Sequence, residues 1–248
     1  MSLPKPYVVA LIPARSGSKG IENKNLRTLH GKSLLDWSVG AAEKTQNISR
    51  VVVSTNSSEY AEVAKKAGAE VPFLRPELIS QDKSTDFEFV EHALDFFYKE
   101  GRIPDLIVHL RPTTPFRDPG IMDQAISDGL KRKIGVTSVR SVHEMSESAY
   151  KSFEIGESGN LVSAFSKINE LDAANVGRQS FPKTYSPNGY IDLLFPDLIL
   201  NSGFLHGNNV SPIITENTIE IDSEFELSMA QALLTMNPLI FTRIFGDQ

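Results

Sequence analysis

Cysteine is absent from the chain, which excludes disulfide cross-links, thiolate nucleophiles and thiolate metal ligands. Also missing is any apolar run near the ~20 residues that a membrane-crossing helix needs. Met1 to Pro6 lacks the apolar core of a signal peptide. A cytoplasmic protein without a membrane partner is therefore expected. Basic residues are outnumbered, 25 against 31 acids, for a formal net charge of -6. A broad basic surface for nucleic acid is not expected on such a chain. What remains is 248 residues with 40% hydrophobic and 23% charged side chains. That is enough to bury a core as one large α/β domain or as a domain with an inserted lobe.

Against this acidic background one stretch is locally basic. Val8-Val9-Ala10-Leu11-Ile12 reads as a buried strand, and Pro13-Ala14-Arg15-Ser16-Gly17-Ser18-Lys19-Gly20 as the loop it runs into. Gly17 and Gly20 let the backbone approach a ligand, and Ser16 and Ser18 add small donors. Arg15, Lys19 and Lys24 bring three positive charges within ten residues. This is the chemistry of a polyphosphate site at the C-terminal end of a first strand, where open α/β sheets bind ligands. The loop matches neither the Walker pattern nor the spaced glycines of the dinucleotide fingerprint.

The chain then alternates. Ser33 to Lys44 predicts a helix with Ser33 as its cap, Arg50 to Thr55 a strand, Ser58 to Ala67 a helix ended by Gly68, and Val71 to Leu74 a short strand. Thr85 to Lys99 predicts a helix, Leu106 to Leu110 a buried strand, Pro119 to Lys131 a helix and Gly135 to Val139 a strand. The alternation predicts a parallel sheet with right-handed crossovers. Between Leu110 and Phe116, two prolines and two threonines form a rigid loop, with Arg111 and Arg117 at its ends. From residue 140 to 187 the segments turn short and polar and read as an insertion in a core formed by 1–139 and 188–248. Asn188 to Leu194 returns to the sheet, and Val210 to Thr215 is a further strand.

Near the end, Thr218-Ile219-Glu220-Ile221-Asp222 alternates with period two, placing two carboxylates on one face. Together they offer hard oxygens for a Mg²⁺ ion bridging phosphates. The same alternation also fits the solvent face of an edge strand. Ser223 and Glu226 form a capping box for a helix from Glu224 to Leu234. His109, His143 and His206 show no ligand spacing and read as structural. Ser16 and Ser18 lack a nearby activating base, which disfavours a covalent mechanism.

The runs Ile12 to Gly20 with Lys24-Asn25-Leu26, Leu110-Arg111-Pro112-Thr113-Thr114-Pro115-Phe116-Arg117, Arg178-Gln179 followed by Asn188-Gly189, and Ile219 to Asp222 resemble acylneuraminate cytidylyltransferases, also called CMP-sialic acid synthetases. The likeness extends from about residue 7 to 235 in the right order. It implies a Rossmann-like, open, mostly parallel sheet with helices on both faces and a small inserted dimerisation lobe. It also implies transfer of CMP from CTP to the anomeric hydroxyl of a nine-carbon 2-keto sugar acid, with magnesium as cofactor. On that resemblance Arg15, Lys19, Lys24 and Asp222 serve catalysis, and Ala14, Ser16, Gly17, Asn25, Arg75, Thr85 and Asp86 hold the nucleotide. Arg111, Thr113, Arg178, Gln179, Asn188 and Gly189 bind the sugar acid, and Glu220 and Asp222 hold the metal. The 140–187 lobe implies a homodimer in which Arg178 and Lys183 reach the partner's site.

Two positions depart from the family pattern, Glu220 where Asp is common and Arg111 where Gln is common. The second leaves sialic, legionaminic and pseudaminic acids all open as substrates. Transfer to keto-deoxy-octulosonate, use of another base, and non-catalytic binding of a nucleotide sugar are the alternatives.

Overall fold

Val8 to Ile12 carry no polar residue, so the strand they form can only be stable with both faces covered. In the computed structural model, which describes residues 5–18, 20–132, 134–165 and 171–246, this strand, β1 (Val8–Pro13), lies between two parallel neighbours. Val9 is in register with Arg50 of one neighbour and Ile107 of the other. The remaining strands are β2 (Thr28–Leu29), β3 (Lys32–Ser33), β4 (Arg50–Ser54), β5 (Leu106–His109), β6 (Ser138–Glu144), β7 (Phe153–Ile155), β8 (Leu161–Ser163), β9 (Tyr185–Leu194) and β10 (Val210–Ile214). The helices are α1 (Leu34–Glu43), α2 (Ser58–Lys66), α3 (Asp86–Lys99), α4 (Pro119–Arg132), α5 (Pro196–Ser202), α6 (Glu224–Met236) and α7 (Leu239–Phe245).

Six strands form one sheet in the order β10-β6-β9-β5-β1-β4. Its pairs are parallel except those of β9, which runs antiparallel to both β5 and β6. Successive residues of β1 point to opposite faces. Val8, Ala10 and Ile12 join one apolar layer with residues of α1, α2, α4, α6 and α7. Val9 and Leu11 join the other with Phe89, Leu94 and Phe97 of α3 and Ile199 of α5. The expected mostly parallel sheet with helices on both faces is what forms.

Helix starts follow the local chemistry. Ser33 with Asp36, Thr85 with Glu88 and Ser223 with Glu226 each close a capping box, satisfying N–H groups that the first turn leaves open. Arg50 to Ser54 and Leu106 to His109 are strands as expected.

Four expectations change. Val71 to Leu74 makes no strand, only bridges of Val52 with Glu70 and Thr55 with Leu74, because Pro72 has no N–H for a ladder. Gly135 to Thr137 lies outside the strand, which starts at Ser138 and continues to Glu144. β9 likewise begins at Tyr185, so the main sheet runs into both ends of the segment read as an insertion. Polar residues such as Arg140 and His143 hid that continuation. The alternating segment before α6 is irregular chain rather than a strand: β10 ends at Ile214, and the Ile221 N–H is taken by Thr113 O at 2.7 Å. The β2–β3 ribbon, turned through His30 and Gly31 at φ 52° and 75°, and α7 have no counterpart in the sequence reading.

Trp37 of α1 ties α7 to the core. It is fully buried, donates from Nε1 to Leu29 O at 3.0 Å, and meets Phe116, Phe241 and Phe245 edge-on. Replacing this single tryptophan in Trp37→Ala is expected to cost about 3–5 kcal/mol, measured by denaturant unfolding followed by circular dichroism. A loss under about 1 kcal/mol would show that α7 is not anchored there.

Candidate active site

The C-terminal end of β1 decides where the basic loop sits. Ala14 N–H continues the β1–β4 ladder to Ser54 O at 2.9 Å, and Ser16 N–H donates to Asn56 Oδ1 at the same distance. Asn25 Nδ2 closes back onto Arg15 O at 3.1 Å, and Gly17 takes φ 78°, which a side chain would disfavour. Lys19 lies outside the described residues.

The loop borders a cleft of about 310 Å³. Around it are Arg15, Ser18, Lys24 and Asn25 from the loop, Arg75, Ser84, Thr85, Asp86 and Phe89 from the α3 side, Arg111, Pro112 and Thr113 from the β5 loop, and Glu220 with Asp222. Residues more than 200 positions apart thus meet in one place. Ala14 is buried beneath the loop, and Ser16 and Gly17 are part of it without lining the cleft. Gly189, at φ 65°, comes close: an added Cβ would stand 2.9 Å from Thr114 Oγ1, 3.8 Å from Glu220 Oε1 and 3.9 Å from Arg111 Cδ. Asn188 is buried, its amide donating to Thr215 Oγ1 at 2.6 Å and its oxygen accepting from Tyr190 N–H at 3.2 Å. Arg178 and Gln179 stand in a short 3-10 turn away from the cleft, with Arg178 Nη1 donating to Ser146 O at 3.0 Å.

The cleft neutralises itself. Lys24 Nζ is 2.6 Å from Asp222 Oδ1, Arg15 Nη2 is 3.0 Å from Asp82 Oδ1, and Arg111 Nη2 is 2.5 Å from Asp86 Oδ2. Arg111 Nη1 also reaches Asp192 Oδ2 at 2.9 Å. Burial opposes ionisation of Asp86, yet its neighbours, His109 first and then Arg111 by charge and hydrogen bond, hold its carboxyl below the usual range. Those two carboxylates raise Arg111 in turn, against the opposing effect of burial. Arg75 is the most deeply buried of the cleft cations. It donates to Ser54 O at 2.7 Å, lies over the Phe89 ring at 4.8 Å, and is lowered by burial to about 10, so it stays charged at neutral pH.

Glu220 and Asp222 flank the fully buried Ile221 and so both face the cleft. Glu220 Oε1 lies 3.4 Å from Thr113 Oγ1. Among the described residues, no group of three or more His, Cys, Asp or Glu is placed to hold a metal. Two hard carboxylates with an open side suit an ion such as Mg²⁺ that takes its other ligands from phosphate and water.

Sequence reasoning passed over two residues. Asp192, a lone carboxylate inside the apolar run of β9, is 1% exposed and faces Arg111 and Arg140; an acid in a buried strand was the available signal. Arg117 was read as a loop end, whereas it is buried and donates to four backbone carbonyls and Ser38.

A mostly parallel open sheet with a glycine-containing basic loop at its first strand, facing a carboxylate pair, is the arrangement of a nucleotide-binding α/β domain. The comparisons narrow that class: the cytidylyltransferase family model matches residues 9–155, and the chain belongs to that family. It is 31% identical over 229 residues to the N-acylneuraminate cytidylyltransferase of Escherichia coli O18:K1:H7, covering 90% of this chain and 51% of that protein. The chain therefore spans about half the length of that relative. It is 30% identical over 237 residues to the CMP-N,N'-diacetyllegionaminic acid synthase of Legionella pneumophila, covering 93% and 97% respectively. In fold it is similar to CMP:2-keto-3-deoxy-manno-octonic acid synthetase complexed with CTP, with a TM-score of 0.68, 15% identity and coverage of 93% and 99%.

His109 supplies a pH prediction. Fully buried in β5, it is pushed from 6.5 to about 3 by burial first and the Arg111 charge second. Between those values the unfolded chain binds a proton that the native one refuses, so stability falls as pH falls, by up to about 1.4 kcal/mol per pH unit. His92 and His206 are shifted the same way. His109→Gln should make the acid limb of a stability-against-pH curve shallower, and an unchanged slope would show that His109 is not a neutral buried imidazole.

Proposed function

We propose that the chain transfers CMP from CTP to the anomeric hydroxyl of a nonulosonic acid of the sialic, legionaminic or pseudaminic type, releasing pyrophosphate. The observation that carries this reading is the meeting of Lys24 and Asp222, from opposite ends of the sequence, at 2.6 Å in one cleft beside Arg15 and Glu220. Similarity to an N-acylneuraminate cytidylyltransferase and a CMP-N,N'-diacetyllegionaminic acid synthase, over 90% and 93% of this chain, supports the sugar class.

The sugar hydroxyl oxygen attacks the α-phosphorus as the bond to pyrophosphate breaks, and the hydroxyl proton leaves to solvent. No protein nucleophile is required, so the chain's contribution is placement and charge compensation. Arg15, Lys19 and Lys24 hold phosphate oxygens, and entry of the triphosphate draws Lys24 off Asp222. Ala14, Ser16, Gly17 and Asn25 supply the loop around the nucleotide, and Arg75, Thr85 and Asp86 its base and ribose contacts. Arg111 and Thr113 face the acceptor, with Asn188 shaping and Gly189 bordering that side. Glu220 and Asp222 would hold Mg²⁺, which would supply neutralisation of phosphate charge.

A homodimer belongs to the same reading. The β7–β8 hairpin within residues 140–187 exposes Ile155 and Leu161, at 78% and 54%, as a lobe covered by a partner would when free. Arg178, Gln179 and Lys183 belong to that segment and would act across the dimer. Among the described residues no helix is long and apolar enough to cross a membrane, in keeping with the cytoplasmic location proposed here.

Pyrophosphate release should occur from CTP with Mg²⁺ and one of the nine-carbon acids, and far less with ATP, GTP or UTP. Turnover only with keto-deoxy-octulosonic acid, or with another nucleotide, would replace the proposed substrate. Asp222→Ala should lower kcat at least ~100-fold while leaving the fold intact by circular dichroism; unaltered turnover would remove Asp222 from the metal site. Mixing Arg178→Ala with Lys19→Ala subunits should restore part of the activity each lacks, and no recovery in a verified mixed dimer would exclude action in trans.

A further inference from the structure

Arg117 is a buried guanidinium with five N–H groups, the full complement of that side chain. Nε donates to Tyr190 O at 2.6 Å, Nη1 to Ser38 Oγ at 3.0 Å and to Thr114 O, and Nη2 to Arg111 O at 2.8 Å and Gly189 O at 3.0 Å. Every one of these partners is a neutral oxygen. Burying an arginine against carbonyls rather than a carboxylate is a costly way to fill space, and the identity of the carbonyls explains it. Two belong to the loop after β5 and two to β9, the two backbones on either side of the acceptor end of the cleft.

We infer that Arg117 is a positioning residue that sets the acceptor half of the cleft by bracing the 111–117 loop against the 188–190 segment. The inference rests on the acceptor assignment proposed above. Arg117 itself touches no substrate. Through Arg111 O it fixes the backbone from which the Arg111 guanidinium reaches Asp86 and Asp192. Through Gly189 O it fixes the glycine whose added Cβ would stand 3.8 Å from Glu220 and 3.9 Å from Arg111. A side chain at 189 would crowd Thr114, since that Cβ would be 2.9 Å from Thr114 Oγ1. The phosphate-side loop at 14–18 hangs from β1 and β4 rather than from this brace. Lysine keeps the charge but offers its donors from a single nitrogen, so it cannot span the same five oxygens.

The test is Arg117→Lys in the full chain, with two readouts. In hydrogen exchange, amides of 111–117 and 188–191 should exchange at least ~10-fold faster, with those of 8–18 unchanged. In steady-state kinetics, KM for the acceptor acid should rise roughly 10-fold while KM for CTP stays within about twofold. Faster exchange spread evenly over the protein, both KM values rising together, or an unchanged acceptor KM in a folded variant would each overturn the proposal. Should Arg117→Lys not fold, Ser38→Ala removes one of the five acceptors, and it must accelerate exchange in 111–117 above 8–18; no such local change overturns the proposal. Wild-type protein inactive toward every acid would instead defeat the acceptor assignment, leaving the exchange experiment to decide on the brace.

Discussion

Everything in this structure hangs from the double burial of β1. Hydrogen-bonded on both edges and covered on both faces, it cannot slip by one residue without exchanging which of Leu11 and Ile12 fills each apolar layer. Each such side chain contributes roughly 1.5–3 kcal/mol by leaving water. The basic loop starts where this rigid element stops, and its first turns are still bonded to β4. A flexible glycine loop is thereby held at a defined place relative to β5 and α3, which supply the opposite wall.

The cleft is charged yet balanced. Arg15, Lys24 and Arg111 each meet an acid that also borders or backs the same space. Unpaired, three partly buried cations would repel one another and resist desolvation. Paired, they are held at modest cost, and in the proposed reaction a polyanion would displace the acids, which are of the kind a divalent ion seeks. This explains how an acidic chain can present a local anion site without a broad positive surface.

The remaining order is supplied by polar groups buried at the C-terminal ends of the strands. Asp192, with His109 and Arg140 as its cross-strand neighbours, and Arg117 under the 111–117 loop occupy positions where an ordinary sheet would carry aliphatic residues. Buried charge rarely adds stability for its own sake. In the proposed reading it orients groups at the acceptor end of the cleft.

Local sequence was enough for the strand and loop at residues 8–18, the Ser33 cap, the Ser223–Glu226 capping box, the βα alternation and the basic and acidic parts of the cleft among the described residues, because each depends on neighbours within a few positions. Residues 218–222 show the limit: alternation placed Glu220 and Asp222 together correctly, but on irregular chain rather than a strand, since pairing depends on a neighbour that β10 does not provide beyond Ile214. Likewise Pro72, which has no N–H for a ladder, leaves only isolated bridges where residues 71–74 read as a short strand. Tertiary structure alone decided the antiparallel return of β9, the docking of α7 on Trp37, the ion pair of Lys24 with Asp222 and the burial of Arg117. Those features join segments far apart in the chain, and no periodicity or composition along the sequence records which distant backbone a side chain will meet.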